Sequence, residues 1–366
     1  MKISELIVTD KEPRKPIIPR PRLTLALLLF LLFCIIAAWC GYTWWRLNSQ
    51  PLPAASAGMV FTVTKGENLA RLASDLSARG VLEHAWDLEL LARLRGKSAH
   101  IQAGEYRIAP SVSVNGLLGM MVRGDVLLHN FTIVPGTTFQ QIFSALESNP
   151  IFKHDLQGLP EGAVMTRLGH SGEQAEGRFF PDTYAFPRGT SDVAVLARAY
   201  AAMDKHLAAA WAGRAQDVTL TTPYQALIVA SIVEKETAVP EEREKIAGVF
   251  ERRLQRGMHL DADPTVIYGL GDAYTGKLTR RGLASDTPYN TYLHRGLPPT
   301  PICMPGLATI EAALHPAAGT ALYFVAKGDG THVFSDTLAE QQRMIRKYQL
   351  HRGNSTHDGA GPIHHP

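Results

Sequence analysis

At 366 residues the chain has room for two or three domains and a sizeable core. Its net charge is only +3, and neither Lys/Arg nor aromatic residues cluster along it, which argues against a nucleic-acid surface. Of three cysteines, Cys34 and Cys40 lie in one hydrophobic run and Cys303 stands alone, so a disulfide framework is excluded beyond that run.

Residues 1–22 carry Lys2, Lys11, Arg14, Lys15, Arg20 and Arg22 against Glu5, Asp10 and Glu12, and read as a cytoplasmic tail. Residues 23–45 hold no charge, and a run of that length spans a bilayer as one helix. The positive flank stays in the cytoplasm and places the bulk of the chain outside. Trp39, Tyr42, Trp44 and Trp45 suit the outer interface. A cleaved signal peptide is the competing reading. Against it, the apolar run is too long, and the nearest small-residue cluster, Ala54-Ala55-Ser56-Ala57, is distant.

Residues 46–58 are rich in Pro, Ala and Ser and read as a linker. Residues 59–127 read as a small α+β domain. Val60 to Val63 alternate like a strand, Gly66-Glu67-Asn68 is a turn, and helices follow over residues 69–79, 86–94 and 113–123, with a strand at 104–108. The opening, of form xVxxGExLxxLA, resembles the LysM class of glycan-binding modules; a plain α+β spacer fits the same pattern.

Residues 128–350 read as one larger mixed α/β domain. An alternating strand at 127–134 leads through Pro135-Gly136 to a helix at 139–146, and residues 150–173 look irregular. The segment EGRFFPDTY packs aromatics around a Pro-Asp turn, where Asp182 either caps the turn or, with Tyr184, shapes a sugar groove. A long Ala-rich helix covers 192–212.

The stretch at residues 224–257 organises the domain. Its first half, through Val233, is apolar enough for a buried helix, and Glu234, Lys235 and Glu236 close it. Pro240 opens a second helix with Ile246, Val249, Phe250 and Leu254 on one face and Gly257 at its end. At about 100° per residue, Glu234 and Glu236 project to nearly opposite sides. Glu236 shares its side with Val229, Ile232 and Val233, so its charged form is poorly solvated there and its pKa is expected to rise. Glu234 is expected to pair with a cation or cap a neighbouring loop. Two solvated helix-end charges would satisfy this segment equally well.

Beyond Gly257, Asp261 and Asp263 precede an apolar strand or helix start through Tyr268. Tyr289, Asn290 and Tyr292 sit in a Pro-rich loop stiff enough to hold them at fixed positions. A short helix at 309–315, a hairpin across Lys327-Gly328-Asp329-Gly330 and a helix at 338–348 complete the domain. The tail, 351–366, with His351, His357, His364 and His365, reads as disordered low complexity. No HExxH, paired CxxC, P-loop or GxSxG pattern occurs, and Ser231, with no nearby ordered His, is a weak nucleophile.

ASIVEKET, VFERRLQRGM, DPTVIYG, KLTRRGL, TPYNTY, GLPPTPI and LYFVAKGDGTHVFS, preceded by EGRFFPDTY, resemble in order and spacing the endolytic murein transglycosylases of the YceG-like family, over about residues 60–348. The resemblance implies a single-pass inner-membrane enzyme with a periplasmic catalytic domain. It implies cleavage of nascent peptidoglycan strands between N-acetylmuramic acid and N-acetylglucosamine, leaving 1,6-anhydromuramoyl ends and terminating polymerisation. It also implies peptidoglycan synthases as partners, no cofactor, no metal and no nucleic acid. The family's catalytic acid, the second glutamate of EKET, falls on Glu236. Tyr289, Asn290, Tyr292, Asp263, Tyr268, Asp182 and Tyr184 are the expected substrate contacts. A hydrolytic muramidase with Asp263 or Asp182 as second carboxylate, and a non-catalytic glycan-binding protein, are the alternatives.

Overall fold

The computed structural model describes residues 21–350, and the expectations for the basic N-terminal tail and the histidine-bearing C-terminal tail lie outside the described residues. Helices and short antiparallel strand pairs make up two compact units, divided in the chain between Leu127 and Leu128.

The first unit begins with α1 (Pro21–Ser49), apolar on every side along its exposed stretch and long enough to cross a membrane. The helix outruns the uncharged span, and Leu47 at its end is buried in the unit's core. β1 (Val60–Val63) and β2 (Gly104–Arg107) pair antiparallel, with Val60 opposite Arg107. Between them lie α2 (Leu69–Ala78), capped by the Asn68 side chain, and α3 (Ala85–Leu94). After β2 comes α4 (Val114–Arg123), capped by Ser113. Phe61, Leu72, Leu88, Tyr106 and Leu117 fill the space they enclose. The stretch expected as a short linker is corrected to a packed part of the first unit: Leu52 N–H donates to Val112 O, Pro51 bridges to Ser113, and Ser56 is buried. Backbone hydrogen bonds and burial override its Pro/Ala/Ser composition.

The second unit has two cores. In one, β3 (Leu128–Thr132) pairs antiparallel with β4 (Thr183–Pro187) over α5 (Phe139–Glu147), α6 (Glu161–Arg167) and the first half of α7 (Asp192–Ala212). Helix α6 corrects the irregular reading of residues 150–173. It is only seven residues long, too short for a visible period, and it forms because Val164 and Met165 are fully buried. The other core is built on α8 (Pro223–Glu236), whose residues from Ala226 to Val233 are all buried. Against it pack α9 (Arg243–Gln255), entered through a single turn at Pro240–Glu242, and α12 (Leu307–Leu314).

The segment left open between strand and helix is α10 (Asp263–Leu270), followed by the four-residue α11 (Arg280–Leu283). Gly269 explains how closely α10 lies to the following loop: a Cβ there would come within 2.4 Å of Thr287 Oγ1. β5 (Tyr323–Ala326) and β6 (His332–Ser335) form the hairpin, and α13 (Leu338–Ile345) packs against it.

Candidate active site

Helix α8 ends where its polar residues begin. Glu234, on one side of that end, accepts from Gly306 N–H at 2.9 Å and from the Thr309 hydroxyl at 2.6 Å. It caps the start of α12, so its charge is spent on a helix N-terminus. Glu236, on the other side, makes no hydrogen bond with another described residue and faces a cleft of about 430 Å³. That cleft is walled by Arg253, Asp263, Tyr292, Tyr323, His332 and Leu338.

The Glu236 side chain keeps a partial opening to the cleft, yet protein surrounds it densely enough that its charged form is poorly solvated. Desolvation, reinforced by the Asp263 charge and opposed by Arg253, pushes its pKa up to about 8. At neutral pH it carries its proton. That is the state a general acid requires.

The surrounding frame is assembled by long-range ties. The corner after α8 is pinned by Glu242, which accepts from the His332 backbone at 2.8 Å and from its ring at 2.7 Å, holding β6 beside Glu236. Burial opposes ionisation of Glu242, but these bonds outweigh it and keep the carboxyl below its usual range. Arg253, 6% exposed, donates to Leu322 O, His259 O, Leu260 O and Asp261 Oδ2 at 2.7 to 3.0 Å, and lies over the Tyr323 ring. Asp261 adopts φ +50°, a conformation that Asp tolerates better than most residues, and its N–H donates to Thr291 O.

The structure sorts the expected site residues into three groups. Asp263 and Tyr292 share the Glu236 cleft, with the Tyr292 hydroxyl donating to Asp263 Oδ1 at 2.7 Å. Tyr268 and Tyr289 instead line a second cleft of about 770 Å³, their rings edge to face at 4.8 Å. Consecutive residues divide between the two clefts: Lys235 and Pro264 line the larger, Glu236 and Asp263 the smaller.

The remaining residues are corrected. Asn290 has no exposed surface, and its amide is used inside the loop, donating to Leu283 O and Ser285 O and accepting from Tyr292 N–H. It positions Tyr292 and lines neither cleft. Tyr184 is a core residue whose hydroxyl donates to Phe180 O. Asp182 is exposed on a turn and accepts from Thr183 N–H. Neither lines either cleft. Ser231 is fully buried, donates to Ile228 O and accepts from Ile302 N–H, so it is a packing element and no nucleophile.

One carboxylate in the larger cleft escaped the sequence reading. Glu176, 5% exposed, accepts from Phe139 N–H at the start of α5 and from the Tyr268 hydroxyl at 3.1 Å. Desolvation raises its pKa to about 7 against the lowering pull of those donors. Gly177 lets the chain place it: at φ +79°, a Cβ there would press to 2.5 Å from Pro301. Around Glu176, the polar neighbours Glu173, Gln174 and Arg178 make the stretch look solvated, so the sequence carried no local signal of its burial.

Asp263 gives the site a handle for titration. Asp263→Asn removes the negative neighbour that raises the Glu236 pKa. The alkaline limb of kcat/KM is therefore expected to move to lower pH, read from a pH–rate profile on glycan strands. An unmoved limb would mean that burial alone sets the proton affinity.

The sequence model of the YceG-like family matches residues 61–347. A Bacillus subtilis protein named endolytic murein transglycosylase is 27% identical over 303 residues, covering 78% of this chain and 83% of that protein. A Streptococcus pneumoniae protein of the same name is 26% identical over 359 residues; the aligned region covers 88% of this chain but 64% of the longer pneumococcal protein. A solved yceG-like protein from Listeria monocytogenes aligns with a TM-score of 0.48 and 28% identity, over 78% of this chain and 98% of that one.

Proposed function

This chain belongs to the YceG-like family, and from that premise we propose that it is an endolytic murein transglycosylase with Glu236 as its single catalytic acid–base. The observation that carries the reading is a glutamate with pKa about 8 in a cleft beside Tyr292 and Asp263. The substrate is the peptidoglycan glycan strand, cut internally between N-acetylmuramic acid and N-acetylglucosamine.

In the first step Glu236 gives its proton to the glycosidic oxygen as the bond to the muramoyl C1 breaks and N-acetylglucosamine departs. Positive charge grows at C1 and the ring oxygen. The Asp263 carboxylate, oriented by the Tyr292 hydroxyl, provides negative potential on that side of the cleft. In the second step ionised Glu236 takes the proton of the muramoyl 6-hydroxyl as that oxygen closes on C1. The enzyme returns to its starting protonation, and the strand gains a 1,6-anhydro end. Tyr292, Tyr323 and Leu338 offer apolar faces for sugar rings, and the Tyr268–Tyr289 cleft offers further aromatic faces to a longer strand.

The anchor and the first unit fit this role. Helix α1 serves as a single-pass inner-membrane anchor, with the basic residues before it in the cytoplasm and the catalytic unit in the periplasm. The strand–helix–helix–strand order of the first unit supports a LysM-like glycan-holding role. A hollow of about 310 Å³ beside Lys65, Glu67 and Ser98 is the place for a sugar. Cleavage of growing strands would end their polymerisation and bring the enzyme beside the synthases that make them.

One observation favours a second reading. Asp263 places another carboxylate in the Glu236 cleft, and paired carboxylates can direct water to C1, giving hydrolysis. Mass spectrometry of products from uncrosslinked strands separates the two. Anhydro ends, lighter than reducing ends by one water, are expected, with internal fragments early in the digest. Reducing ends alone would make the protein a muramidase.

A further inference from the structure

Helix α3 carries an apolar stripe that the first unit leaves partly exposed. Trp86, Leu90 and Leu94 recur every fourth residue and are 41%, 36% and 64% exposed, while Leu88, Leu91 and Ala92 on the opposite side are buried in the core. An exposed stripe of this kind needs a neighbour.

The contacts of α3 with the end of α1 say what that neighbour is. At the first turn of α3, the Arg46 guanidinium pairs with Asp87 and lies 5.8 Å from the Trp86 ring. At its far end, Arg95 donates to Asn48 Oδ1 at 2.7 Å and sits 5.9 Å from the Trp44 ring. Trp86 and Arg95 are about 13 Å apart along α3, whereas Trp44 and Asn48 are separated by about 6 Å along α1. Side chains at both ends of α3 thus meet the same short segment of α1, residues 44–48. That segment begins at Trp44, beside Trp45, in the aromatic cluster that closes the uncharged span. Burial of Thr43, inside that span, brings folded protein down to the same level. Arg95 and Lys97 follow the stripe, as on the polar edge of helices that lie in a membrane surface.

We propose that α3 is a second membrane contact, lying in the plane of the outer leaflet with Trp86, Leu90 and Leu94 at the boundary between headgroups and acyl chains. The occupant of the stripe is lipid. This rests on α1 spanning the bilayer, and it gives the first unit a second point of contact with the membrane surface.

The test uses the full chain with Cys34→Ser and Cys40→Ser, Cys303 being buried and unreactive. Spin labels are placed singly at Leu90→Cys, Leu94→Cys, Phe30→Cys in the span, and Ser144→Cys on an exposed face of the second unit. The protein is reconstituted in phosphatidylcholine–phosphatidylglycerol vesicles at high lipid-to-protein ratio. Collisions with oxygen, which partitions into lipid, are compared with those of a water-soluble nickel chelate. The oxygen-to-nickel ratio at 90 and 94 is expected to be several-fold above that at 144 and to approach that at 30. If 30 is lipid-immersed while 90 and 94 match 144, α3 is not on the membrane although α1 spans it. If 30 is itself open to nickel, the spanning reading fails first. Dipolar broadening between labels at 90 or 94 on separate copies would assign the stripe to self-association and overturn the proposal.

Discussion

Glu236→Gln is expected to yield a folded protein that cuts glycan about two to four orders of magnitude more slowly than the parent. Glutamine has the shape of the protonated acid and makes the same packing contacts, but it holds no transferable proton. The same substitution should change stability in a pH-dependent way. The native carboxyl, with pKa about 8, keeps a proton that the unfolded chain releases near its ordinary 4.5. Native protein therefore binds more protons in that window, and parental stability falls as pH rises from about 4.5 to about 8. Glutamine removes this dependence. Measured by chemical denaturation, the variant should match the parent near pH 4 and exceed it above pH 8, by on the order of 2 kcal/mol once partial solvent access is allowed for. Parental activity should likewise fade above about pH 8 as the acid loses its proton. A variant with full activity, or with no alkaline gain in stability, would remove Glu236 from the centre of the mechanism.

Arg253→Met should have the largest structural effect of any single change near the cleft. Methionine approximates the length of the arginine stem and keeps contact with Tyr323, but it donates nothing. Leu322 O, His259 O, Leu260 O and the Asp261 carboxylate would all lose the same donor. Asp261 is open to water, but leaving the buried carbonyls of Leu322 and Leu260 without their donor costs about 1 to 3 kcal/mol each, which for a unit of this size is a fall of roughly 10 °C in Tm. Because Arg253 also holds the Glu236 pKa down, any residual activity should show its alkaline limb displaced upward. Arg253→Lys, with one compact ammonium in place of a forked donor, should fall between the two. A loss below about 1 kcal/mol would mean that solvent replaces the guanidinium, and that the cleft wall does not depend on it.

How much of this was legible depends on the range of the forces involved. Helix α8 could be read because its burial is continuous, and the corner after it because Pro240 and Gly257 mark boundaries whatever surrounds them. The opposed directions of Glu234 and Glu236 followed from helix geometry alone. Helix α10 could not be resolved from strand, since its Val266 and Ile267 suit either; the close approach at Gly269 accompanies the helical outcome. Arg253 had a readable signal. It lies seven residues after Ile246 and three after Phe250, on the apolar face of α9, where a charge must find internal partners. Asn290 and Tyr184 were misread because stiffness and aromaticity say that a side chain is held, and not whether it points outward.

By itself, the sequence determined the membrane-length apolar helix, the long helices around the central corner and, through motifs in fixed succession, the family. All of these rest on neighbours within a few turns of chain or on residue identity alone. Tertiary structure decided which acids are buried, which tyrosines share a cleft with Glu236, and that Glu176 meets Tyr268 across 92 positions. The physical reason is that desolvation sums over every atom packed around a charge. Those atoms come from α8, α9, α10 and the β5–β6 hairpin, segments that only folding brings together.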